Sequence, residues 1–212
     1  MIIQPASDRS LYVAFGDRID AESYAAVVRL THGLLGAREV QNLHPAYASV
    51  VIDFDPRRYT HERIEALVHK CLESPAPEPD PRHVEIAVEF GGDRGPDLED
   101  VARHTGLSPC AVVERFTAAE YEVYFVGFST CFPYLGGLPP ELATPRLSAP
   151  RKHVPEGSVA IGGQQAGVYP LASPGGWRLI GRTLLRLFDA QSAPPPLLRM
   201  GDRVRFVAEA RR

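Results

Sequence analysis

Ser74-Pro75-Ala76-Pro77-Glu78-Pro79-Asp80-Pro81 places a proline at every other position. Proline has no N–H for a helix or sheet ladder, and its fixed φ favours an extended, polyproline II-like run. The stretch therefore reads as a connector and divides the chain into residues 1–80 and 81–212. The chain has 20 prolines and 18 glycines. Both concentrate after Ser74, so the two parts are expected to be built differently.

Before the seam, short apolar runs alternate with helical periodicity. Ser10 to Phe15 is aromatic and β-branched and ends at Gly16-Asp17, as a strand does. Asp20 is placed to cap a helix carrying Tyr24, Val27, Val28 and Leu34, closed by Gly36. Val40 to Pro45 and Ala48 to Phe54 read as two more strands. Thr60 opens a second helix with an apolar stripe at Ile64, Leu67, Val68 and Leu72. The order β-α-β-β-α, with a further strand expected across the seam, predicts a small ferredoxin-like α/β domain over residues 1–80.

After the seam, Val84 to Phe90 alternates as a half-buried strand. Pro96 marks a helix start, with Asp97, Glu99 and Asp100 complementing the positive end of the helix dipole, and Gly106 ends it. Ser108 caps a second helix through Val112, Val113 and Phe116. Tyr121 to Phe128, Ser158 to Ile161, Ala166 to Pro170, Trp177 to Arg182 and Arg203 to Val207 then read as short strands punctuated by Gly and Pro. That spacing predicts a small β-barrel or sandwich. The fold class is α+β.

The composition narrows the function classes. The chain has 212 residues, with 44% apolar and 23% charged residues, which excludes bulk disorder. Its formal charge of -3 gives no broad electropositive footprint for nucleic acid. No apolar run approaches the roughly 20 residues of a membrane helix, and Met1 to Pro5 lacks the pattern of a signal peptide. A cytoplasmic protein is expected. Cys71, Cys110 and Cys131 are too scattered for a disulfide framework or a metal site.

General catalytic motifs are missing too. The sequence has no G-x-x-x-x-G-K-[ST] loop, no H-E-x-x-H and no G-x-S-x-G. Gly162-Gly163-Gln164-Gln165-Ala166-Gly167 resembles a phosphate loop only loosely. Strand-like Val168-Tyr169-Pro170 follows it where a helix belongs, so a tight turn is expected. Polar and aromatic residues crowd instead into Gly127–Pro139, Pro150–Ser158, Gln164–Pro170 and Ser173–Thr183. Within them Cys131 reads as a small apolar residue and Trp177 as a core or interface anchor.

These segments resemble the family of the 5-oxoprolinase B component, also called the KipI or allophanate hydrolase subunit 1 family. The likeness rests on His44-Pro45-Ala46-Tyr47 with Ser49, Gly95 to Ala102, Gly127-Phe128 with Phe132-Pro133-Tyr134-Leu135-Gly136-Gly137-Leu138, Val154-Pro155-Glu156-Gly157-Ser158-Val159, and Ser173 to Thr183. It implies a cyclophilin-like β-barrel over residues 81–212, an architectural likeness without prolyl isomerase activity. It also implies a protein that works with a homologous C component and with an A component of 5-oxoprolinase, opening 5-oxo-L-proline to L-glutamate with ATP. The sequence departs from the family pattern at Thr130-Cys131, at Gln164 and Ala166, and at Thr183-Leu184.

Such a site must hold a carboxylate, a developing oxyanion and phosphate oxygens, which suits arginines and hydrogen-bond donors. Arg151 and Arg178 are the candidate anion contacts, with Gln165 and Tyr169 as neutral hydrogen-bonders. His153 and Arg182 are the candidate catalytic groups. Each has a plainer reading. His153 beside Lys152 fits a solvated loop histidine, and Arg182 a structural ion pair. The ATP site is not assigned to this chain. The resemblance leaves two other functions open: an inhibitor of a sensor histidine kinase, and a subunit of an allophanate- or urea-processing amidohydrolase.

Overall fold

Two side chains fix the helices of the N-terminal unit. Asp20 Oδ1 accepts the Ser23 N–H at 2.8 Å, and Thr60 Oγ1 accepts the Arg63 N–H at 3.4 Å. Each satisfies a backbone donor that the first helical turn leaves unpaired. Helices α1 (Ala21–Leu34) and α2 (His61–Glu73) follow from these caps. The computed structural model describes residues 1–18, 20–74 and 81–209. It separates into two compact units, Met1–Asp80 and Pro81–Arg212. Residues 75–80 of the proline seam lie outside the described residues.

The N-terminal unit carries a four-stranded antiparallel sheet. Its strands are β1 (Ile2–Ser7), β2 (Ser10–Ala14), β3 (Asn42–Pro45) and β4 (Ser49–Asp53), in the order β1-β2-β4-β3. Leu11, Val13, Val50 and Ile52 alternate inward and bury their side chains with Val27, Leu30, Ile64 and Val68 of the helices. The sequence led us to expect a strand across the seam to complete this sheet. The fourth strand is instead β1, an edge strand in which Pro5 is tolerated because an edge does not use every N–H. The expected strand, β5 (His83–Phe90), pairs in the second unit.

That second unit contains a closed barrel. Helices α3 (Leu98–Thr105) and α4 (Pro109–Ala118) lie between β5 and β6 (Glu120–Gly127) in the chain. Next come β7 (Phe132–Gly136), β8 (Arg151–Val154), β9 (Ser158–Gly162), β10 (Gln165–Val168), β11 (Ser173–Gly175), β12 (Arg178–Arg182) and β13 (Arg203–Ala208). Seven strands close in the order β10-β7-β6-β13-β5-β12-β9, as the cyclophilin-like expectation requires, and β8 with β11 forms a separate ribbon. Closure depends on β13 lying parallel to β5, with Arg203 opposite His83 and Ala208 opposite Val88.

Strand periodicity sorts the barrel side chains onto two faces. Leu135, Val159, Ile161, Ala166, Val168 and Ile180 join the large core around Phe116, Tyr121 and Phe206. There the Phe116 and Phe206 rings lie 4.9 Å apart. Residues one step out of phase, Phe132, Ala160, Tyr169 and Leu179, meet Val154 and Trp177 in a second, aromatic cluster. The candidate site is built on that cluster.

Candidate functional site: an aromatic cavity beside one cation

Phe132 lies at the centre of the cluster. Its ring meets Tyr169 at 5.1 Å, Trp177 at 5.4 Å and Tyr134 at 5.1 Å, all edge-to-face. Edge-to-face contacts set the positive ring edge against the negative face and fix ring orientation. Two strand glycines make room for the indole. A Cβ at Gly162 would come within 2.4 Å of the Trp177 ring, and one at Gly167 within 2.7 Å of Phe132 and 3.0 Å of Trp177. The rings lie directly on backbone, which no larger residue at those positions allows.

A cavity of about 330 Å3 opens beside these rings. Its walls include Phe128, Phe132, Tyr134, Tyr169 and Trp177, and Arg146 is the charged residue among its lining. The Arg146 guanidinium sits over the Trp177 ring, 5.4 Å from its centroid. Burial raises the Tyr134 and Tyr169 phenols above their usual range, and the positive charge of Arg146 offsets part of that rise at both. A hydrogen bond from the Trp177 backbone also opposes it at Tyr169. Both phenols are therefore neutral donors at neutral pH. Phe128 stands at the mouth, 66% exposed, with φ of 61°. A bulky side chain in the left-handed region costs about 1 kcal/mol, and such strain gathers at binding sites.

Of the six candidate catalytic and anion-binding residues, Tyr169 lines this cavity, while Arg151, His153, Gln165, Arg178 and Arg182 do not; Trp177, read as a core or interface anchor, lines it too. Arg151 Nη2 donates to Asp97 Oδ1 at 2.6 Å. Arg178 donates to the Pro145 carbonyl at 3.2 Å and to Asp100 at 3.3 Å. It lines a separate polar pocket with Asp100, Arg103 and His104. Arg182 Nε donates to the Glu156 carbonyl at 2.7 Å. Gln165 begins β10 half-buried, and His153 is exposed on β8. Gly163, with φ of 66°, turns the β9–β10 hairpin, so the glycine pair is the expected tight turn. Burial also raises the Cys131 thiol, which leaves it a poor nucleophile.

Sequence reading missed what two residues do at or near the site. Asp97 stands at the start of α3, but its carboxylate does not cap the helix. It accepts the Leu179 N–H at 2.7 Å and the Arg151 bond instead, tying β12 and β8 together. Its acidic spacing signalled only a helix dipole. Arg146 lies in an irregular segment between Thr144 and Leu147, and nothing in its local sequence marks it.

The carboxyltransferase domain family, subdomains C and D, matches residues 1–198. The B component of 5-oxoprolinase from Escherichia coli O157:H7 is 49% identical over 188 residues, covering 88% of this chain and 86% of the relative. Its namesake from Bacillus subtilis strain 168 is 40% identical and covers 97% and 91%. This chain belongs to the family of the 5-oxoprolinase B component. Among solved structures, TTHA0988 superposes with a TM-score of 0.85 at 37% identity, over 96% of this chain and 40% of that one. This family member therefore spans less than half of that longer protein. A conserved uncharacterized protein from Pyrococcus horikoshii, PH0987, gives 0.59 at 39% identity and covers 98% of this chain and 97% of its own. The urea amidolyase of K. lactis, at 20% identity and a TM-score of 0.76, shares the fold. No helix among the described residues is long and apolar enough to cross a membrane.

Proposed function

We propose that this chain is the B component of an ATP-dependent 5-oxoprolinase, acting with the A and C components to open 5-oxo-L-proline to L-glutamate. The observation that carries the reading is the identity of 40–49% to proteins of that name over nearly the whole chain. The cavity supports it. Its volume, aromatic walls and single cation suit a small ring bearing a negative charge. The part of the chain, on this reading, is to bind and orient substrate and to keep water away from it until the ring is activated.

ATP fits the described residues poorly. A triphosphate wants a glycine-rich backbone cradle leading into a helix. Here Gly162 and Gly163 close a hairpin between two strands. We place the nucleotide outside the described residues of this chain, in the assembled complex. His153 and Arg182, proposed as catalytic from sequence, stand away from the cavity lining. We propose supporting roles for them.

The test is reconstitution with the A and C components, following glutamate release from 5-oxoproline and ATP. Activity that disappears when this chain is omitted establishes its place in the enzyme. A stable assembly of all three components without 5-oxoproline-dependent ATP turnover overturns it. A second reading, a urea-processing subunit, is favoured by 26% identity over 105 residues to a putative urea carboxylase of Emericella nidulans. Turnover of urea or allophanate by the same complex would select it.

A further inference from the structure

We infer that Arg146 is the carboxylate anchor of the cavity, holding a small cyclic acid whose ring lies against Trp177 and Phe132. This rests on the 5-oxoprolinase reading and names the part of the site that recognises the substrate's charge.

The argument begins by elimination among neighbouring cations. Arg151, Arg178 and Arg182 do not line the cavity, and each donates elsewhere: Arg151 through one nitrogen to Asp97, Arg178 to Asp100 and the Pro145 carbonyl, and Arg182 to the Glu156 carbonyl. Arg146 makes no ion pair among the described residues, although it lines the cavity. Its guanidinium lies over the face of Trp177, at 5.4 Å. Stacking on an aromatic face orients a guanidinium without using its N–H donors, which stay available for a bidentate carboxylate. The charge also reaches into the site, because it acts on both Tyr134 and Tyr169.

The remaining walls fit the rest of such a ligand. Phe132 and Trp177 offer flat apolar surface for a five-membered ring. Tyr169 accepts a hydrogen bond from the Trp177 backbone. Its own hydroxyl proton remains to be donated to a lactam oxygen. A neutral lactam would use the rings and the phenol and gain nothing from Arg146. A cyclic carboxylate would gain a charge-assisted pair beside a low-dielectric wall, where such pairs are strong.

Trp177 is the only tryptophan in the chain, so its fluorescence reports this cavity. The full chain is titrated with 5-oxo-L-proline, with the uncharged lactam 2-pyrrolidinone and with cyclopentanecarboxylate. In parallel, KM for 5-oxoproline is measured in the complex with the A and C components. Arg146→Gln is expected to raise Kd or KM for 5-oxoproline about tenfold or more, with kcat nearly unchanged. Arg146→Lys should recover part of the loss, and 2-pyrrolidinone should respond equally in all variants. Arg146 is exposed, so circular dichroism should show an intact fold. Unchanged Kd and KM in Arg146→Gln overturn the anchor, even where the complex turns over 5-oxoproline and its assignment stands. Arg146-dependent binding of cyclopentanecarboxylate in a complex inactive on 5-oxoproline upholds the anchor and defeats the reaction. No response to any of the three ligands, together with an unchanged KM, removes the inference.

Discussion

Two residues outside the cavity lining fix neighbouring parts of the fold. Gly162 supports Trp177 so closely that an added methyl would meet the indole at 2.4 Å. Overpacking of this kind forces a side chain off its rotamer and costs about 1–3 kcal/mol. Gly162→Ala is expected to expel Trp177 from the cluster, red-shift its fluorescence and raise KM in the assembled complex. An unchanged spectrum would mean that the strand moves instead of the ring. Asp97 is the second residue. Its carboxylate is buried and receives both the Leu179 N–H and the Arg151 guanidinium. Asp97→Asn keeps the shape but takes the counter-charge from a half-buried arginine, at a cost of about 3 kcal/mol. Urea denaturation would read this as a lower midpoint with the same slope. Sequence reading found Asp97 at the helix start but not its bonds to Arg151 and Leu179. Charge near a helix start looks the same whether it serves the dipole or a distant arginine.

At the scale of elements, the β6–β7 hairpin and the N-terminal sheet test different physics. Residues 128–131 turn the hairpin with Phe128 and Cys131 at φ of 61° and 62°. Asparagine tolerates that region better than a bulky ring. Phe128→Asn should therefore hold or raise the melting temperature while weakening substrate binding, because it removes a cavity wall. A lower melting temperature would show that the exposed ring contributes more than the strain costs. In the N-terminal sheet, burial pushes the Asp53 carboxyl up, but hydrogen bonds from Ser10 at 2.6 Å and His44 at 2.9 Å outweigh it and hold its pKa below the ordinary value. A lowered folded pKa contributes stability above the unfolded value of about 4, which is lost as pH falls through the folded pKa. Ser10→Ala should thus cost about 1.5 kcal/mol near pH 7, and less at each step toward acid. A cost independent of pH would refute the charge-assisted bond. The capped helices here were legible because Asp20, Thr60 and Ser108 stand at the starts where their side chains accept backbone N–H groups. Strand β1 was not, because its side chains are mostly exposed and Pro5 interrupts it.

For the whole molecule, the barrel strands were largely visible one by one and the family resemblance implied a barrel, but the pairing that closes it was not legible. Local periodicity identifies β5 and β13, yet nothing near either announces that Arg203 will lie opposite His83. The cavity inherits that limit. Phe132, Arg146, Tyr169 and Trp177 come from separate stretches, and only the folded barrel brings them to one face. That geometry also bears on what the chain does by itself. The site has rings, a phenol and one cation, which are enough to recognise a small cyclic acid. The described residues provide no phosphate cradle beside it, since the glycine pair turns a hairpin. Unactivated lactams hydrolyse too slowly for binding alone to suffice, so under the proposed 5-oxoprolinase reading the chemistry falls to the A and C components. The purified chain is therefore expected to bind 5-oxo-L-proline through Trp177 quenching, while ATP neither binds to it nor is hydrolysed. Addition of the A and C components should then switch on glutamate release without moving the Trp177-reported affinity by more than about threefold. ATP turnover by the chain alone would overturn this division of labour. Substrate binding that appears only after the partners join would instead show that the site is completed at an interface with one of them.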